Sequence, residues 1–261
     1  MAELLTRAEA GVDVISLHGT SQLQAADRLL RRIWNTRAGD DPPLALDIMC
    51  ALDHTGGYIG GAYLHGELVG VAAGLLAAGA GLHSHVAGVA PEAQGRGVGQ
   101  AIKAHQRAWA AERGLSSISW TFDPLVRRNA YFNLSRLGVT AERYLPDFYG
   151  PMTDGINDGD VSDRLLAHWP VASAPAVPPR RTETEEAVVI LDEGGVTRER
   201  LGSAVLRCAT PADVERLRRE YPEEARRWRA AQRAALGGAL DDGYRITGFT
   251  RSGWYVLERG L

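Results

Sequence analysis

The sequence predicts a mixed α/β fold of the α+β kind, in which helices flank a mostly antiparallel sheet. Three strand-like segments follow one another between residues 58 and 89 with only short turns between them, which is typical of antiparallel hairpins. A strand, a glycine-rich turn, a helix and another strand then follow between 81 and 122, which predicts one parallel crossover. A doubly wound parallel sheet is not predicted, because it would need a helix between every pair of strands.

Hydrophobic periodicity gives the elements of the first half in order. An apolar stripe at Leu23, Ala26, Leu30 and Ile33 predicts a helix, with Thr20 or Ser21 as its cap. A short helix after two prolines is predicted to end at Gly56-Gly57. The predicted strands are VDVISLHG, YIGGAYLHG, ELVGVAAGLLAA, GLHSHVAGVAP and SSISWTF, and the later helices are QGRGVGQAIKAHQRAWAAERGL and DPLVRRNAYFNLSRLG.

A change in composition predicts the domain organisation. The segment HWPVASAPAVPPRRTETEE is rich in proline, alanine and charge, which favours a linker over residues 169–186. It would separate a first domain, residues 1–168, from a small C-terminal α/β domain, residues 187–261. That second part shows four strand-like segments and a long helix that we expect to break at Pro222.

Composition excludes several partner classes. The chain is 45% hydrophobic and 23% charged with a net charge of −3, which gives no reason to expect nucleic acid or an anionic membrane as partner. The segment 213–233 interleaves seven arginines with five acidic residues, so we expect a solvated helix face with i,i+4 ion pairs. Lys103 is the only lysine, which we attribute to coding bias.

No cofactor-binding cysteine pattern or targeting segment is evident. Cys50 and Cys208 lie far apart and match neither metal-ligand nor redox spacing, so no metal is expected. The N-terminal segment MAELLTRAEAG lacks the features of a signal peptide, and the longest apolar run is too short to span a bilayer. We therefore expect a cytoplasmic protein, with a homodimer left open.

The segment GVAPEAQGRGVG, residues 88–99, could form a phosphate-binding turn. It fails the dinucleotide fingerprint, because Gln100 or Ile102 occupies the position of the third glycine. It also fails the P-loop pattern, because Lys103 is followed by alanine. The remaining pattern, Gln94 to Gly99, lies between a strand and a helix and suits a pyrophosphate. A glycine-rich helix start without a ligand stays an equal alternative on these residues alone.

In the context of the whole first half, the chain resembles the GCN5-related N-acetyltransferase (GNAT) superfamily. The resemblance lies in VAPEAQGRGVG, in ISWTFDPLVRRNAYFNLSRLG and in the order of elements over residues 12–150. It implies that the turn binds the pyrophosphate of an acyl-coenzyme A and that the preceding strand pairs with the pantetheine. The residues that it places at the donor are Ala87, Gly88 and Val89 along the pantetheine, Gln94, Gly95, Arg96, Gly97, Val98 and Gly99 at the pyrophosphate, and Asn129 on the pantetheine or adenosine side.

A closer resemblance covers most of the chain. The segments LHSH, WTFDPL, NAYFNLSRLG, GDVSDRLLAHW, ARRWRAAQR and GYRITGF are similar to a two-part branch of predicted acetyltransferases that includes amino acid N-succinyltransferase-like enzymes. This resemblance implies acetyl-CoA or succinyl-CoA as donor and a small-molecule amine, an amino acid among them, as acceptor. It also implies that the C-terminal part is a degenerate GNAT-like half covering the acceptor site.

Acyl transfer to an amine needs a base, and His85 is the candidate. It lies on the strand that leads into the glycine turn, and histidine titrates near neutrality. His83 would share its face by strand alternation. A structural role for both histidines remains the alternative. Asp123, at the end of the fifth strand, could hold an amine or a water, or cap the next helix.

Acyl transfer also needs an acid that protonates the departing thiolate. Many relatives use a tyrosine four residues before a glycine, and the matching position before Gly138 is Leu134. Tyr131, one turn earlier, is the catalytic candidate, with Tyr144 and Tyr149 as substitutes. The departure at Leu134 supports one alternative function, a non-catalytic coenzyme A-binding sensor or interaction module.

Overall fold

A computed structural model describes residues 6–7, 11–37, 39–150, 160–172, 187–199 and 203–259. The described residues fall into two compact units. The first holds the residues up to 120 together with 170–172, and the second holds 121–150, 160–169 and the residues from 187 onward. The predicted domain limits 1–168, 169–186 and 187–261 stay a prediction, and residues 173–186 of the predicted linker lie outside the described residues.

The first unit is built on a sheet in which consecutive strands are neighbours, in the order β1 to β6. All pairs from β1 to β5 are antiparallel, whereas β5 and β6 are parallel and joined through helix α3. This confirms the predicted mostly antiparallel sheet with one crossover. The elements are β1 (Thr6–Arg7), β2 (Val12–Ser16), α1 (Gly19–Ile33), α2 (Leu46–Thr55), β3 (Tyr58–Leu64), β4 (Glu67–Ala77), β5 (Gly81–Val89), α3 (Val98–Glu112) and β6 (Ser117–Phe122), whose last two residues belong to the second unit.

Helix α3 packs closely on the sheet where the sheet carries small residues. A β carbon on Gly70 of β4 would collide with Val98 and Ile102 of α3, so glycine at this position lets the helix approach. Farther along the interface the buried Tyr58 hydroxyl lies 2.9 Å from His105 Nδ1. The start of α3 is therefore held firmly against β4, next to the end of β5.

Helix α1 begins one turn earlier than its sequence predicts. Gly19 is its first residue, so the predicted caps Thr20 and Ser21 lie inside the first turn. Asp53 of α2 takes over the capping role, because its Oδ2 accepts the Gly19 N–H at 2.9 Å and its Oδ1 lies 2.6 Å from His18 Nδ1. This cap comes from a distant part of the chain, which local patterns do not reveal.

The second unit contains a smaller sheet with the strand order β11-β12-β10-β9, as expected for a C-terminal α/β part. Its helix breaks at Pro222, as predicted. Two antiparallel strands, β7 and β8, were not predicted, and β8 includes Trp169 and Pro170 at the start of the predicted linker. The elements are α4 (Arg127–Ala130), a π-helical segment (Tyr131–Arg136), β7 (Thr140–Leu145), β8 (Arg164–Pro170), β9 (Val188–Leu191), β10 (Val205–Ala209), α5 (Val214–Glu220), α6 (Pro222–Gln232), a second π-helical segment (Arg233–Gly237), α7 (Gly238–Asp241), β11 (Tyr244–Phe249) and β12 (Trp254–Arg259).

A buried ion-pair cluster holds the second unit together. Arg229 Nη1 lies 2.8 Å from Asp123 Oδ1, and its Nη2 lies 2.8 Å from Asp160 Oδ2. Arg218 pairs with the same two carboxylates. The prediction of a solvated face over 213–233 is therefore wrong for Arg218 and Arg229, whereas Arg216 forms the expected exposed i,i+4 pair with Glu220.

Each buried arginine in this cluster has a carboxylate partner, and Arg164 also lies 4.0 Å from Asp123 Oδ2, which explains why the cluster tolerates burial. Burial alone would raise the pKa of Asp123, but the Arg229 and Arg218 guanidiniums outweigh that effect and hold the pKa far below its ordinary value of 3.8. Because the folded-state pKa is depressed, this stabilisation is present above pH 3.8 and is lost only in strongly acid solution. No helix in the described part of the chain is long and apolar enough to cross a membrane.

We predict that Asp123→Asn destabilises the protein strongly, because it leaves three buried arginines with one carboxylate fewer. The expected loss in free energy of unfolding is about 3–5 kcal/mol, measured by urea denaturation at pH 7. Asp192→Asn is the control, because Asp192 forms an exposed pair with Arg198. A urea midpoint of Asp123→Asn that matches the control would contradict this account of the cluster.

Candidate functional site

Strands β5 and β6 separate after the first three of the nine residues of β5. Their parallel register contains three pairs, Gly81–Ser117, Leu82–Ile118 and His83–Ser119. Strand β4 continues to pair with β5 as far as Val89, so only the other edge of β5 is affected. Within the described residues, the edge from Ser84 to Val89 that β6 would occupy carries no strand. It offers backbone N–H and C=O groups to any ligand that can pair like a strand.

Strand β5 has a β-bulge in its pairing with β4, at the point where β5 and β6 begin to separate. Ala73 of β4 is opposite Val86, but its neighbour Gly74 is opposite Ser84, so His85 is the extra residue. Bulges bend a strand and turn a side chain away from regular alternation. Gly74 permits the bulge, because a β carbon there would collide with the His83 carbonyl oxygen. The sequence predicted plain alternation for His83 and His85 and did not reveal this feature.

The environment of His85 favours a neutral imidazole. The ring is half-buried, and its N–H donates to the Pro43 carbonyl in the loop between α1 and α2. Burial lowers the pKa below the ordinary 6.5, and the hydrogen bond to Pro43 opposes this only in part. At neutral pH His85 therefore has one ring nitrogen free of a proton, which is the form a base requires.

His83 lies near His85 but has a different partner. Its Nδ1 is 3.2 Å from Ser119 Oγ on β6, at the last pair before the strands separate. Burial lowers its pKa, and the nearby charges of His85 and Lys103 lower it further. The structure thus brings both predicted histidines together, with His83 engaged by β6 and His85 facing the α1–α2 loop.

The glycine-rich segment forms the predicted turn between β5 and α3. Gly95 and Gly97 have φ angles of 77° and 79°, in the left-handed region. A β carbon on Gly95 would have nothing within 4 Å, so backbone conformation rather than crowding favours glycine there. Gly97 immediately precedes α3, whose first internal hydrogen bond runs from the Ala101 N–H to the Gly97 carbonyl.

This turn has the properties of an anion-binding site. Left-handed residues before a helix gather successive N–H groups into a concave surface. The helix start adds unpaired N–H groups at Val98 and Gly99 and the positive end of the helix dipole. The segment from Gln94 to Gly97 is exposed, so a ligand can reach it. The Gln94 side chain also donates to the Val89 carbonyl at 3.4 Å, which ties the turn to the end of β5.

The three residues predicted to line the pantetheine differ in what they expose. Ala87 is exposed and Val89 is half-buried, whereas Gly88 is buried. A β carbon on Gly88 would collide with the Trp34 ring at the end of α1, so packing explains glycine at this position. The backbone edge of all three residues lies in the stretch that β6 leaves unpaired.

Asp123 belongs to the second unit and is fully engaged there. Its Oδ1 accepts the Leu125 N–H at 2.8 Å and pairs with Arg229, and its Oδ2 pairs with Arg218 and Arg229. Neither oxygen is left for an amine or a water. Helix α4 begins at Arg127, so Asp123 forms a turn before the helix and does not cap it. The geometry therefore gives Asp123 a structural role.

The tyrosines considered as acids also lie in the second unit, and each has a partner. The Tyr131 hydroxyl accepts a hydrogen bond from Arg251 Nε at 3.0 Å, which lowers its pKa. Tyr144 donates to Asp163 Oδ2 at 2.8 Å, and burial together with that carboxylate raises its pKa. The Tyr149 hydroxyl lies 3.1 Å from Thr121 Oγ1. Leu134 is buried in the π-helical segment, and Asn129 is half-buried on α4.

Sequence reasoning overlooked Lys103, whose ammonium lies where β5 and β6 separate. Its Nζ donates to Ser84 Oγ and to Gln106 Oε1, both at 3.0 Å, and lies 3.8 Å from the centroid of the Trp120 ring. Burial lowers its pKa from 10.5 to about 7. The available signal was that a chain rich in arginine keeps a single lysine, just after the glycine turn.

The two cysteines offer no alternative chemistry. Cys208 is buried in β10, and burial raises the pKa of its thiol, which keeps it protonated and unreactive. Cys50 lies on α2 and has no disulfide partner. Among the described residues, no three His, Cys, Asp or Glu side chains gather in a way that could hold a metal ion.

Comparison with solved structures supports the fold. The ribosomal-protein-S18-alanine N-acetyltransferase of Escherichia coli is 18% identical, with a TM-score of 0.50 over 63% of this chain and 97% of its own. YncA of Salmonella typhimurium, solved with its cofactor acetyl-CoA, is 14% identical, with a TM-score of 0.51 over 63% and 96%. ACIAD1637 of Acinetobacter baylyi ADP1 is 13% identical, with a TM-score of 0.50 over 67% and 98%. At these identities the likeness concerns the fold alone.

Comparison at the sequence level finds a family that matches part of the chain. No curated protein matches the chain. Residues 20–135 match the family described as the acetyltransferase (GNAT) family. This range contains the bulged strand, the glycine turn and helix α3, the features from which the site is built. Over residues 20–135, the chain is therefore similar to the GNAT acetyltransferase family.

Proposed function

We propose that this protein is an N-acyltransferase that transfers an acyl group from acyl-CoA to the amine of a small molecule. One observation carries the proposal: the unpaired edge of β5 leads directly into a left-handed glycine turn at the start of α3. An elongated ligand with amides at one end and a pyrophosphate at the other suits this succession of groups. Acyl-CoA has that chemistry, and the similarity of residues 20–135 to the acetyltransferase (GNAT) family supports it as donor.

The chain's own groups fit each part of the donor. The pantetheine amides would pair with backbone groups of Ala87, Gly88 and Val89, as an added strand does. The pyrophosphate would lie on the N–H groups between Gln94 and Gly99, where the helix dipole favours negative charge. No side-chain cation is needed for this, although Arg96 lies in the turn.

The acceptor would be activated beside the bulge. His85 is neutral at physiological pH and half-buried, and it faces Pro43 in the α1–α2 loop. We propose that His85 takes the proton from the acceptor ammonium, directly or through one water. The loop would then border the acceptor, for which a free amino acid is our candidate, with acetyl-CoA or succinyl-CoA as donor.

Transfer would be direct, within a ternary complex. Cys208 is buried with a raised pKa, and neither cysteine lies on β5 or in the glycine turn. A deprotonated amine is already a competent nucleophile, so an acyl-enzyme would add a step without lowering a barrier. Holding the two reactants in contact can supply effective molarities of about 10⁵ M or more.

A non-catalytic coenzyme A sensor is the second candidate. It is favoured because none of the expected acids is available. Position 134 is leucine, and the Tyr131 and Tyr144 hydroxyls already form hydrogen bonds with Arg251 and Asp163. Such a protein would bind the donor and release no thiol. The two candidates therefore differ in one directly measurable product.

We predict that thiol is released when acetyl-CoA or succinyl-CoA is mixed with the protein and a panel of amino acids, measured with a thiol-reactive dye. Initial-rate plots at several donor concentrations should intersect, and the Cys50→Ala/Cys208→Ala variant should keep most of the activity. Donor binding without thiol release for any amine would favour the sensor. Parallel plots with a trapped acyl-enzyme would contradict direct transfer.

We predict that Gly95→Val weakens acyl-CoA binding at least tenfold in calorimetric titration, because the new side chain covers the anion-binding N–H groups. Gly114→Val is the matched control at the opposite end of α3. Both glycines have positive φ angles, 77° and 66°, and neither has an atom within 4 Å of its added β carbon. Both variants should therefore lose similar stability, about 1–2 kcal/mol. Equal donor affinity in the two variants would contradict the assignment of the turn.

We predict that His85→Ala lowers kcat/KM by about 10²-fold or more while donor affinity stays unchanged. In the parent, kcat/KM should rise with pH through a midpoint below 6.5, because the neutral imidazole is active and its pKa is lowered. His54→Ala, at an exposed position on α2, is the control. Full activity of His85→Ala at neutral pH would contradict the assignment of His85 as the base and favour a structural role.

A further inference from the structure

Lys103 occupies the apex at which strands β5 and β6 separate. The last pair of the parallel register is His83–Ser119. Ser84 and Trp120 are the next residues on each strand, and the Lys103 Nζ contacts both, 3.0 Å from Ser84 Oγ and 3.8 Å from the centroid of the Trp120 ring. Helix α3 thus inserts one positive charge between the first unpaired residues of the two strands.

This cation is buried without an anion. Its three N–H groups have three neutral partners, namely the Ser84 hydroxyl, the Gln106 amide oxygen and the Trp120 ring. In the part of the chain that the structure describes, no carboxylate lies within ion-pairing distance of its Nζ. The other titratable groups that influence this region are His83 and His85, which add no negative charge. A buried cation of this kind stabilises an anion that arrives beside it.

The unpaired edge determines which part of a bound donor would reach Lys103. From Val89 to Ser84 the edge spans about 17 Å at ~3.3 Å per residue. With the pyrophosphate on the glycine turn, an extended pantetheine along this edge ends with its sulfur near Ser84. This step rests on the proposed function, because it takes acyl-CoA as the ligand of the edge.

We propose that the Lys103 ammonium stabilises and protonates the coenzyme A thiolate that leaves during acyl transfer. The acceptor nitrogen, after losing a proton to His85, forms the C–N bond with the acyl carbon. The nitrogen, now bonded to the acyl carbon, loses its second proton to solvent, the C–S bond breaks with its electron pair going to sulfur, and sulfur takes a proton from the Lys103 Nζ. His85 releases the proton it accepted to solvent. Lys103, left as a neutral amine, regains a proton from solvent as the products leave. Lys103 thereby supplies the proton that Leu134, which has no hydroxyl group, cannot donate.

The test measures the thiol of bound coenzyme A by its thiolate absorbance in the ultraviolet, as a function of pH. In the parent the bound thiolate fraction should exceed that of free coenzyme A about tenfold at the same pH, and Lys103→Met should abolish this excess. Arg113→Met is the matched control, because Arg113 also lies over a tryptophan, 3.9 Å from the Trp109 ring, at the far end of α3. Coenzyme A lacking sulfur should bind the parent and Lys103→Met equally, and Lys103→Met should lower kcat at least 10²-fold.

The outcomes separate this proposal from the function on which it rests. Coenzyme A that binds the parent with the thiolate fraction of the free molecule would overturn the role of Lys103 and leave donor binding intact. An equal excess in the parent and in Lys103→Met would overturn it as well. If the parent binds neither form of coenzyme A, the proposed function fails and this proposal fails with it. If Lys103→Met does not fold, the parent's titration alone decides between these results.

Discussion

The separation of β5 from β6 after the His83–Ser119 pair is the constraint on which the candidate site depends. Once β6 has moved away, six residues of β5 have a free backbone edge. An open strand edge is a liability unless something pairs with it, and natural proteins usually cover or charge such edges. Here the edge leads into a turn whose backbone N–H groups we propose as the pyrophosphate site. The bulge at His85 and the ammonium of Lys103 both lie at its closed end.

The two units differ in whether their buried charges are paired with charges of opposite sign. In the second unit, Arg218 and Arg229 share the carboxylates of Asp123 and Asp160, and Arg164 also pairs with Asp123, so each buried cation has an anionic partner and the cluster is structural. In the first unit, Lys103 is surrounded by neutral partners. A paired cluster supports the fold, whereas an unpaired cation can stabilise a negative charge that forms next to it. This contrast is why we assign chemistry to Lys103 and structure to Asp123.

Local patterns predicted much of the fold. Alternation and turn residues indicated β2 to β6, and the glycines with the following apolar stripe indicated the turn and α3. These features depend on residues that are close in sequence. The same reasoning placed His85 on the strand that leads into the glycine turn, where the structure has it.

Features that depend on distant partners escaped prediction. The bulge at His85 follows from its register with β4, and the cap of α1 comes from Asp53 on another helix. The arginines of α5 and α6 resemble a solvated face until Asp123 and Asp160 are placed beside them. Lys103 was overlooked for the same reason, because the environment of its ammonium is formed by Ser84 and Trp120 and not by its sequence neighbours.

The central claim is that the free edge of β5 receives the pantetheine of an acyl-CoA. Amide hydrogen exchange with and without acetyl-CoA tests it directly, with adenosine 3′,5′-bisphosphate as a ligand that lacks the pantetheine. The account predicts that acetyl-CoA slows exchange across residues 84–89, that the bisphosphate does not, and that strand β3 (Tyr58–Leu64) is unaffected by either. Unchanged exchange across residues 84–89 in a protein saturated with acetyl-CoA would contradict the account.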